Sequence, residues 1–436
     1  MKKVSIIVLT YNQLNYTKRC IQSIKKYTNP NQYELIVVDN FSTDGTRNWL
    51  KKQKNIKICL NLKNEGFPKG CNIGISLANP ENHILLLNND TVVTTNWLKN
   101  LQEVLESKKE IGAVGAVSNH KENNQGVNFT YKTISEMQKL AKINNTNSFE
   151  NQLEDKTFLI GFCLLIKNEV IKKLGGLDEK YSPGYIEDND VSLRILQLGY
   201  RLVLCHNVFI HHELGTSFHK DWAYFYKILA KNRKYFYHKW KFSCFAFDEG
   251  KSHCFPLLDK EIKILELESG IGVTALQLRY QLKEPSIIGV EKDKNKRNIC
   301  NLLIPTVAKL EEVKEEDFDL ILIGNALEKV KNPTRFLKKI SKKLKSGGKI
   351  IGEIQNIASI ETIQSLLKDT WHYKNQQFYT ISDIWQLFLN AGYQNGHYYG
   401  WCKRLDEEEK KILKQFSIFP FRNLEITTYA FSFQKK

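Results

Sequence analysis

The sequence predicts two successive α/β units, each built around a mostly parallel sheet with helices on both faces. Three observations support this prediction. In residues 1–120, short apolar runs alternate with segments whose apolar residues recur at helical spacing. The stretch 241–258 breaks this pattern, and a second alternation begins at about residue 260. Several runs also end abruptly in polar residues, as strands do where open α/β sheets bind ligands.

The first unit is expected to span 1–240 and to begin with four strands. A helix follows the first strand, because Tyr16, Cys20, Ile21 and Ile24 fall on one helical face. Asp44 is expected to cap the helix that begins at Thr46. The four predicted strands are VSIIVLT (4–10), ELIVVD (34–39), IKICL (56–60) and the run HILLL that leads into NND (83–90).

The rest of the first unit is less regular. Residues 119–153 are polar and rich in Asn, which predicts a partly ordered excursion. Order returns at 157–178, with an apolar strand and a helix stopped by two glycines. A strand region at 199–212 ends in two histidines, and the aromatic, basic stretch 218–240 is predicted to be helical. Residues 241–258 form the linker, and 259–436 form the second unit.

Composition narrows the class of protein. The 436 residues are 42% hydrophobic and 25% charged, which is ordinary for a globular protein. The nine cysteines are scattered without a CxxC pair, which favours reduced thiols and a cytoplasmic location. The longest apolar run, 158–166, is too short to cross a bilayer, and the N-terminus does not resemble a signal peptide.

The net charge of +17 favours anionic partners such as nucleotide phosphates and lipid headgroups. It is compatible with peripheral contact with the inner face of a membrane. Lys and Asn are abundant throughout the chain, however, and no basic stripe is interleaved with aromatic residues. The sequence therefore predicts no binding to nucleic acid.

Polar clusters follow the strand-like runs of the first unit at four places: Asp39, Asp90, the run 187–190 and the pair 211–212. Together they supply a carboxylate for a nucleotide, a metal ligand, a base and an imidazole. Simpler interpretations exist, because Asn and Asp also form turns and acidic residues also cap helices. Four acidic or amide residues in succession exceed what a helix cap requires.

Seven segments resemble the inverting nucleotide-sugar glycosyltransferases of family 2, which have the GT-A fold. They occur in the family's order across roughly 1–240, and they are closest to the rhamnosyltransferase-like branch, in which NND replaces DxD. The segments are VSIIVLTYN, ELIVVDNFSTDGT, NEGFPKGCNIGI, ILLLNNDTVV, GFCLLIKNEVIKKLGGLDEKY, EDND and FIHHELGTSF.

This resemblance implies roles for individual residues. Asp188 would be the general base, and Asp90 and His212 would ligate Mg²⁺ or Mn²⁺, with His211 left open as the alternative to His212. The donor would be a UDP- or dTDP-sugar. The residues implied in donor binding are Thr10, Asn12, Asp39, Asn64, Gly66 and Asn89.

The second unit contains a strand, a glycine turn and a helix. Gly270 and Gly272 lie in a GxGxxA pattern, and Glu291 ends the next strand 19 residues after Gly272. This arrangement places an acid on ribose hydroxyls in dinucleotide folds. Residues 255–436 also resemble Rossmann-like class I S-adenosylmethionine-dependent methyltransferases. Glu268 replaces a family glycine and Lys329 replaces a family histidine, so a degenerate domain is expected rather than S-adenosylmethionine binding.

The sequence as a whole predicts a metal-dependent inverting glycosyltransferase fused to a methyltransferase-like domain. The acceptor would be a hydroxyl of a glycan, such as a surface polysaccharide, or of a lipid-linked or peptide/protein molecule. Two alternatives remain open: a bifunctional enzyme that glycosylates and methylates one glycan, and a non-catalytic nucleotide-binding adaptor. The oligomeric state is also left open, with a homodimer as one option.

Overall fold

The computed structural model describes residues 1–120, 125–149, 151–213, 222–260, 262–282, 285–368, 377–402, 406–407, 409–411 and 422–436. The chain divides into two compact units, Met1–Asp248 and Glu249–Lys436. The division falls within the stretch 241–258.

Strands and helices alternate through the first unit, as the apolar periodicity predicts. Its strands are β1 (Val4–Thr10), β2 (Tyr33–Asp39), β3 (Lys57–Leu60), β4 (His83–Asn88), β5 (Thr91–Val92), β6 (Ile111–Val117), β7 (Leu153–Lys156), β8 (Cys163–Ile166), β9 (Arg201–Phe209) and β10 (His211–His212). Its helices are α1 (Leu14–Tyr27), α2 (Thr46–Leu50), α3 (Phe67–Leu77), α4 (Trp97–Ser107), α5 (Ile134–Asn144), α6 (Asn168–Leu174), α7 (Glu187–Gln197) and α8 (Trp222–Trp240).

Eight of these strands form one sheet in the order β3-β2-β1-β4-β8-β6-β9-β7, and β5 and β10 form a separate pair. The first four neighbours are parallel, whereas β8 and β7 run antiparallel to their partners. A continuous apolar core includes Ile6, Val37 and Leu85 from the sheet and Trp97 and Leu101 from α4. The parallel half of the sheet therefore carries its polar strand ends on one edge.

Asp44 binds the start of the helix that begins at Thr46, although the N-cap position itself is Gly45. One of its carboxylate oxygens accepts a hydrogen bond from the backbone N–H of Thr46 at 3.1 Å, at the start of α2. The other accepts one from the N–H of Leu14 at 2.8 Å, at the start of α1. A single carboxylate thus satisfies unpaired donors at the beginning of two helices.

The prediction of a partly ordered excursion at 119–153 is wrong for its second half, which contains α5. Thr133 caps this helix, and Met137 and Ala141 are buried. The Asn145 side chain then accepts a hydrogen bond from the N–H of Phe209 and donates to Thr94. Amide side chains anchor this segment by pairing with buried backbone groups, a role that polar composition alone does not indicate. Residues 121–124 and 150 lie outside the described part of the chain.

The helix predicted at 218–240 is described from Trp222 onward, and 218–221 lie outside the described residues. Where the structure describes the chain, no helix combines the length and apolar character needed to cross a membrane.

The second unit repeats the α/β plan. Its strands are β11 (Lys263–Leu267), β12 (Ser286–Val290), β13 (Thr306–Val307), β14 (Phe318–Gly324), β15 (Leu344–Gln355), β16 (Tyr393–Cys402) and β17 (Ile426–Lys435). Its helices are α9 (Val273–Leu282), α10 (Lys294–Cys300), α11 (Ala326–Lys329), α12 (Pro333–Ser341), α13 (Ile360–Leu367), α14 (Ile381–Asn390) and α15 (Arg422–Glu425). The sheet order is β13-β12-β11-β14-β15-β17-β16, parallel through β15 and antiparallel beyond it.

Candidate functional site

The ends of three parallel strands meet at one edge of the first sheet. In the register of β1 with β2, Thr10 lies opposite Asp39. In the register of β1 with β4, Leu9 lies opposite Asn88. The residues that follow β4, Asn89 and Asp90, therefore lie at the same edge as Thr10 and Asp39.

Asp39 is a buried carboxylate at this edge. Its Oδ1 accepts a hydrogen bond from the N–H of Ser42 at 3.1 Å and lies 3.4 Å from Nε of Arg47. Its Oδ2 is buried and has no hydrogen-bond partner among the residues that the structure describes. Since a buried oxygen without a donor is costly, Asp39 is suited to accept an N–H from a ligand.

Thr10, Asn12 and Asn89 bind their protein neighbours. The Thr10 hydroxyl lies 2.7 Å from that of Thr17 on α1, and the amide of Asn89 donates to the same two hydroxyls. The side-chain oxygen of Asn12 accepts from the N–H of Thr43 at 2.8 Å. These contacts shape the end of β1, and direct contacts of the three residues with a donor stay a prediction.

Asn64 and Gly66 form a tight loop that contacts a second loop. The side-chain oxygen of Asn64 accepts from the N–H of Gly66 at 2.9 Å. Gly66 has a φ of 82°, and a Cβ at this position would lie 2.9 Å from Cα of Pro183. The N–H of Phe67 also donates to the carbonyl of Pro183 at 2.7 Å. Only glycine fits here, because both the backbone angle and the space exclude a side chain.

The clearest convergence is that of Asp90 and His212. The short strands β5 and β10 pair antiparallel, with His212 opposite Thr91. This pairing brings Nε2 of His212 to 3.2 Å from Oδ1 of Asp90, and the amide of Asn88 lies 3.4 Å from the same nitrogen. Residues more than 120 positions apart in sequence therefore form one carboxylate–imidazole pair.

His211 points to other partners. Its Nδ1 lies 2.6 Å from the Tyr131 hydroxyl, and its Nε2 lies 3.2 Å from Glu213. Glu213 is itself paired with Arg19. Burial lowers the pKa of His211, which favours the neutral imidazole that these contacts require. The structure thus places His212, and not His211, beside Asp90.

The His212 ring and backbone are held from several sides. Phe162 stacks on the ring with the planes 16° apart and the centroids 5.1 Å apart. The His212 N–H donates to the side-chain oxygen of Asn119. The His212 carbonyl accepts a hydrogen bond from the side-chain amide of Asn119 and contacts the ring of His120. Such support fixes the orientation of a histidine and is common around metal ligands.

These residues fit a divalent cation that also binds a phosphorylated substrate. No cluster of three or more His, Cys, Asp or Glu side chains suited to a metal occurs in the described part of the chain. Mg²⁺ usually takes one or two protein carboxylates together with substrate phosphates and water. Asp90 and His212 would hold such a cation, and substrate oxygens would complete its coordination.

Asp188 lies in the first turn of α7 and connects to this pair through a two-residue segment. Its Oδ2 accepts a long hydrogen bond, 3.4 Å, from the N–H of Gly161. The next residue, Phe162, stacks on His212. Asp188 and the Asp90–His212 pair therefore contact the same short segment.

The neighbouring Glu187 is a carboxyl group with a strongly raised pKa. Burial of its carboxyl, reinforced by the nearby Asp188 charge, raises the pKa of Glu187 to about 8. Its Oε2 is buried without a hydrogen-bond partner among the described side chains and backbone. With this pKa, Glu187 is mostly protonated at neutral pH.

Asp190, the other acid of the run, is part of the core. It is buried and accepts hydrogen bonds from Trp240 at 2.9 Å and Tyr181 at 3.2 Å, and it pairs with Lys239 at 2.7 Å. These contacts tie α7 to α8 and leave Asp190 in a structural position.

Sequence reasoning missed several residues around the site. Asn119 and His120 directly follow the apolar strand β6, the same signal that drew attention to Asp39 and Asp90. Because these two residues lie in the Asn-rich stretch 119–153, which the composition predicts to be partly ordered, they were not considered as site residues. Arg47 and Phe162 carried no such signal, because their contacts with Asp39 and His212 depend on the tertiary fold.

In the second unit, the glycine turn and the acid predicted from sequence come together. Gly270 and Gly272 have φ values of 57° and 92°. One oxygen of Glu291 accepts from the N–H of Gly270 at 2.8 Å, and the other accepts from that of Asp293 at 2.7 Å. The two departures from the family pattern also meet, because Lys329 and Glu268 form an ion pair at 2.6 Å.

Both units match known families. Residues 5–175 match the model of glycosyl transferase family 2, and residues 238–398 match that of a methyltransferase domain. The chain therefore carries a family 2 glycosyltransferase domain followed by a methyltransferase domain. These matches and the two sheet topologies confirm the predicted fold class, GT-A-like and then Rossmann-like.

The chain is similar to parts of longer curated proteins. An uncharacterized protein of Sinorhizobium fredii is 24% identical over 56% of this chain and 28% of its own length. An uncharacterized glycosyltransferase of Rickettsia bellii is 28% identical over 43% of this chain and 25% of its own length. A poly(ribitol-phosphate) β-N-acetylglucosaminyltransferase, TarS, of Staphylococcus aureus is 33% identical over 23% of this chain and 18% of its own length. The chain thus spans about a quarter of the length of these relatives.

Solved structures similar to each unit also exist. A Pyrobaculum calidifontis mannosyltransferase in complex with GDP-mannose and Mn²⁺ is 18% identical, with 50% of this chain and 58% of that chain covered and a TM-score of 0.39. A Thermotoga maritima SAM-dependent methyltransferase is 20% identical, with 49% and 99% covered and a TM-score of 0.34.

Proposed function

We propose that the first unit transfers a sugar, with inversion, from a UDP- or dTDP-sugar to an acceptor hydroxyl. The acceptor is a glycan, a lipid-linked molecule or a peptide or protein. The observation that carries the proposal is the contact of Asp188 and of the Asp90–His212 pair with the single segment Gly161–Phe162. An inverting displacement needs a base on one side of the sugar and a sink for charge on the other.

The donor nucleotide is assigned to the ends of β1 and β2. The unpartnered Oδ2 of Asp39 supports this assignment, because uracil and thymine each present an N–H that a buried carboxylate can accept. Nε of Arg47 lies 3.4 Å from the other oxygen of Asp39. The loop at Asn64–Gly66, which packs against Pro183, is assigned to the same donor site.

The diphosphate is assigned to the neighbourhood of Asp90 and His212. Asp90 and His212 would hold a Mg²⁺ or Mn²⁺ ion, which would supply positive charge to stabilise a departing diphosphate. Asp90 supplies the oxygen ligand that a hard cation prefers. Phe162 stacks on the His212 ring and holds its orientation, so the ring nitrogen is already positioned as a ligand before the cation binds.

Asp188 is assigned as the base that takes the acceptor proton. Its neighbour Glu187, with a pKa of about 8, holds its own proton at neutral pH and is not available as a base. Asp190 is excluded from this role by its contacts with Lys239 and Trp240.

The experiment that tests the proposal measures nucleoside diphosphate release by the full chain. UDP-glucose, UDP-N-acetylglucosamine and dTDP-rhamnose are supplied with MnCl₂ or with excess EDTA, and candidate saccharide acceptors are added in turn. We expect release that requires the metal and a product whose anomeric configuration, read by NMR, is inverted. Retention of configuration, or full activity in EDTA, would contradict the proposal. Binding of these donors without release under any condition would favour the nucleotide-binding adaptor.

A further inference from the structure

The second sheet has one point at which a ligand would be expected. Its strand order, β13-β12-β11-β14-β15, reverses direction between β11 and β14. In open α/β sheets, ligands bind at such a reversal, in the crevice beyond the carboxyl ends of the two strands. The residues at this crevice are Glu268, which follows β11, and Gly324, which ends β14.

A side chain of the protein itself lies in this crevice. Lys251 precedes the short 3₁₀ segment Ser252–Leu257 and is buried. Its ammonium donates to the backbone carbonyl of Glu268 at 2.8 Å. A Cβ built on Gly324 would lie 2.8 Å from Cε of Lys251, so the lysine stem packs directly on the Gly324 backbone. Lys251 thus bridges the ends of both strands.

The lysine is held there by a buried carboxylate. Nζ of Lys251 lies 2.6 Å from Oε1 of Glu266, a fully buried residue of β11. The backbone N–H of Lys251 donates to the hydroxyl of Thr274 on α9 at 3.1 Å. Removal of either member alone would leave an uncompensated charge in the interior, so the two side chains have to be changed together.

A second ion pair flanks the crevice. Glu268 has a φ of 52°, and its carboxylate pairs with Lys329 at the end of α11 at 2.6 Å. Lys329 and Glu268 are both partly exposed, so this pair lies on the solvent side of Lys251. The crevice is therefore occupied inside by an ammonium and crossed outside by a carboxylate–ammonium pair.

We propose that the second unit does not bind S-adenosylmethionine, because Lys251, Glu268 and Lys329 close the crevice between β11 and β14. The cofactor would bring its own ammonium, which would meet that of Lys251 at the Glu268 carbonyl. Its carboxylate would meet that of Glu268. The residues present at this crevice do not fit the cofactor that the methyltransferase family implies. This inference concerns the second unit and is independent of the function proposed for the first.

The first test is calorimetric titration of the full chain with S-adenosylmethionine and with S-adenosylhomocysteine, up to about 1 mM of each. We expect no saturable heat and no rise in melting temperature, since only a ligand that binds the native state stabilises it. Saturable binding in the micromolar range would overturn the proposal and favour the bifunctional enzyme.

The second test opens the crevice. The triple variant Lys251→Ala/Glu266→Gln/Glu268→Gly removes the ammonium, neutralises its buried partner and places glycine at a position of positive φ. A variant that melts cooperatively is expected to gain saturable S-adenosylmethionine binding, at least about tenfold tighter than the detection limit for the wild type. Lys294→Ala, which removes an exposed lysine of α10, is the matched control and is expected to show no S-adenosylmethionine binding. A folded triple variant that still does not bind would overturn the assignment of closure to Lys251 and to the Glu268–Lys329 pair, which loses its carboxylate in this variant.

A filled variant keeps the proposal testable if the triple variant does not fold. Lys251→Met/Glu266→Leu replaces the buried ion pair with apolar side chains of similar volume, an exchange that interiors commonly tolerate. It is expected to fold and, because the crevice stays filled, to remain silent. Saturable binding by this variant would show that a crevice filled by side chains still admits the cofactor, and would overturn the proposal that these side chains close it.

Discussion

Replacement of Asp188 by Asn is the most direct test of the proposed base. The exchange removes a negative charge and leaves the volume nearly unchanged. Asp188 accepts hydrogen bonds from the N–H of Asn189 at 2.9 Å and from that of Gly161 at 3.4 Å. The amide oxygen of Asn can keep the shorter bond, so only the longer and weaker one is lost. A hydrogen bond to a charged group contributes roughly 1.5–3 kcal/mol, and this one is long at 3.4 Å, so we expect a loss of stability near the lower end of that range.

The expected loss of activity is much larger. A positioned base typically contributes roughly 10²–10⁴-fold to the rate, which corresponds to about 3–5 kcal/mol of activation free energy. The assay is nucleoside diphosphate release with a saturating donor. Donor binding, read as the rise in melting temperature with UDP and MnCl₂, should survive, because Asp188 is assigned to the acceptor side.

Glu187→Gln is the matched control for Asp188→Asn. With a pKa of about 8, Glu187 is roughly nine-tenths protonated at pH 7, and an amide reproduces this neutral state. We expect its turnover at pH 7 to stay close to that of the wild type. Wild-type turnover by Asp188→Asn, or equal losses in the two variants, would refute the assignment of the base.

Three further predictions concern the metal, the loop and pH. In Asp90→Ala, UDP with Mn²⁺ should raise the melting temperature less than in the wild type, and any remaining activity should depend little on EDTA. A melting shift equal to that of the wild type would show that Asp90 does not hold the cation. Gly66→Ala should destabilise the chain by roughly 1–3 kcal/mol in urea unfolding, because φ is 82° and the new Cβ would lie 2.9 Å from Cα of Pro183; an unchanged midpoint would mean that the loop moves freely. Burial raises the pKa of Glu187 from its ordinary 4.5 to about 8, so the native state holds this proton more tightly, and the resulting stability is present at acidic pH and lost as pH rises from about 4.5 to about 8. The stability of Glu187→Gln relative to the wild type should therefore increase across this range in urea titrations, and a difference that does not change with pH would contradict the shift.

Much of the first sheet follows from local sequence. The runs at β1, β2 and β4 are apolar because these strands are covered on both faces, and their ends are marked by the change to polar residues. Since parallel strands end on a common edge, Asp39 and Asp90 could be placed near each other without coordinates. The contact of Asp44 with the start of α2 was also predictable, because capping depends on residues close in sequence.

The excursion at 119–153 shows where composition misleads. Asn-rich polarity indicates weak burial, yet Asn145 is buried because its amide pairs with the backbone of a strand more than 60 residues away. No local pattern reports a partner at that distance. The helix α5 is therefore stabilised by tertiary contacts, which helix propensity along the sequence does not reveal.

The sequence by itself determined the two α/β units, the polar strand ends and the candidate acids, because each of these is expressed in short-range periodicity. Only the tertiary structure decided which residues act together. The pairing of β10 with β5 selects His212 over His211 beside Asp90. The packing of α7 buries Glu187 as a neutral acid and binds Asp190 to Trp240, so that Asp188 is the remaining candidate for the base. Lys251 lies in the crevice between β11 and β14, where it packs on Gly324, although Lys251 and Gly324 are 73 residues apart in the chain. Charge state and occupancy depend on burial by distant segments, and burial is a property of the folded chain.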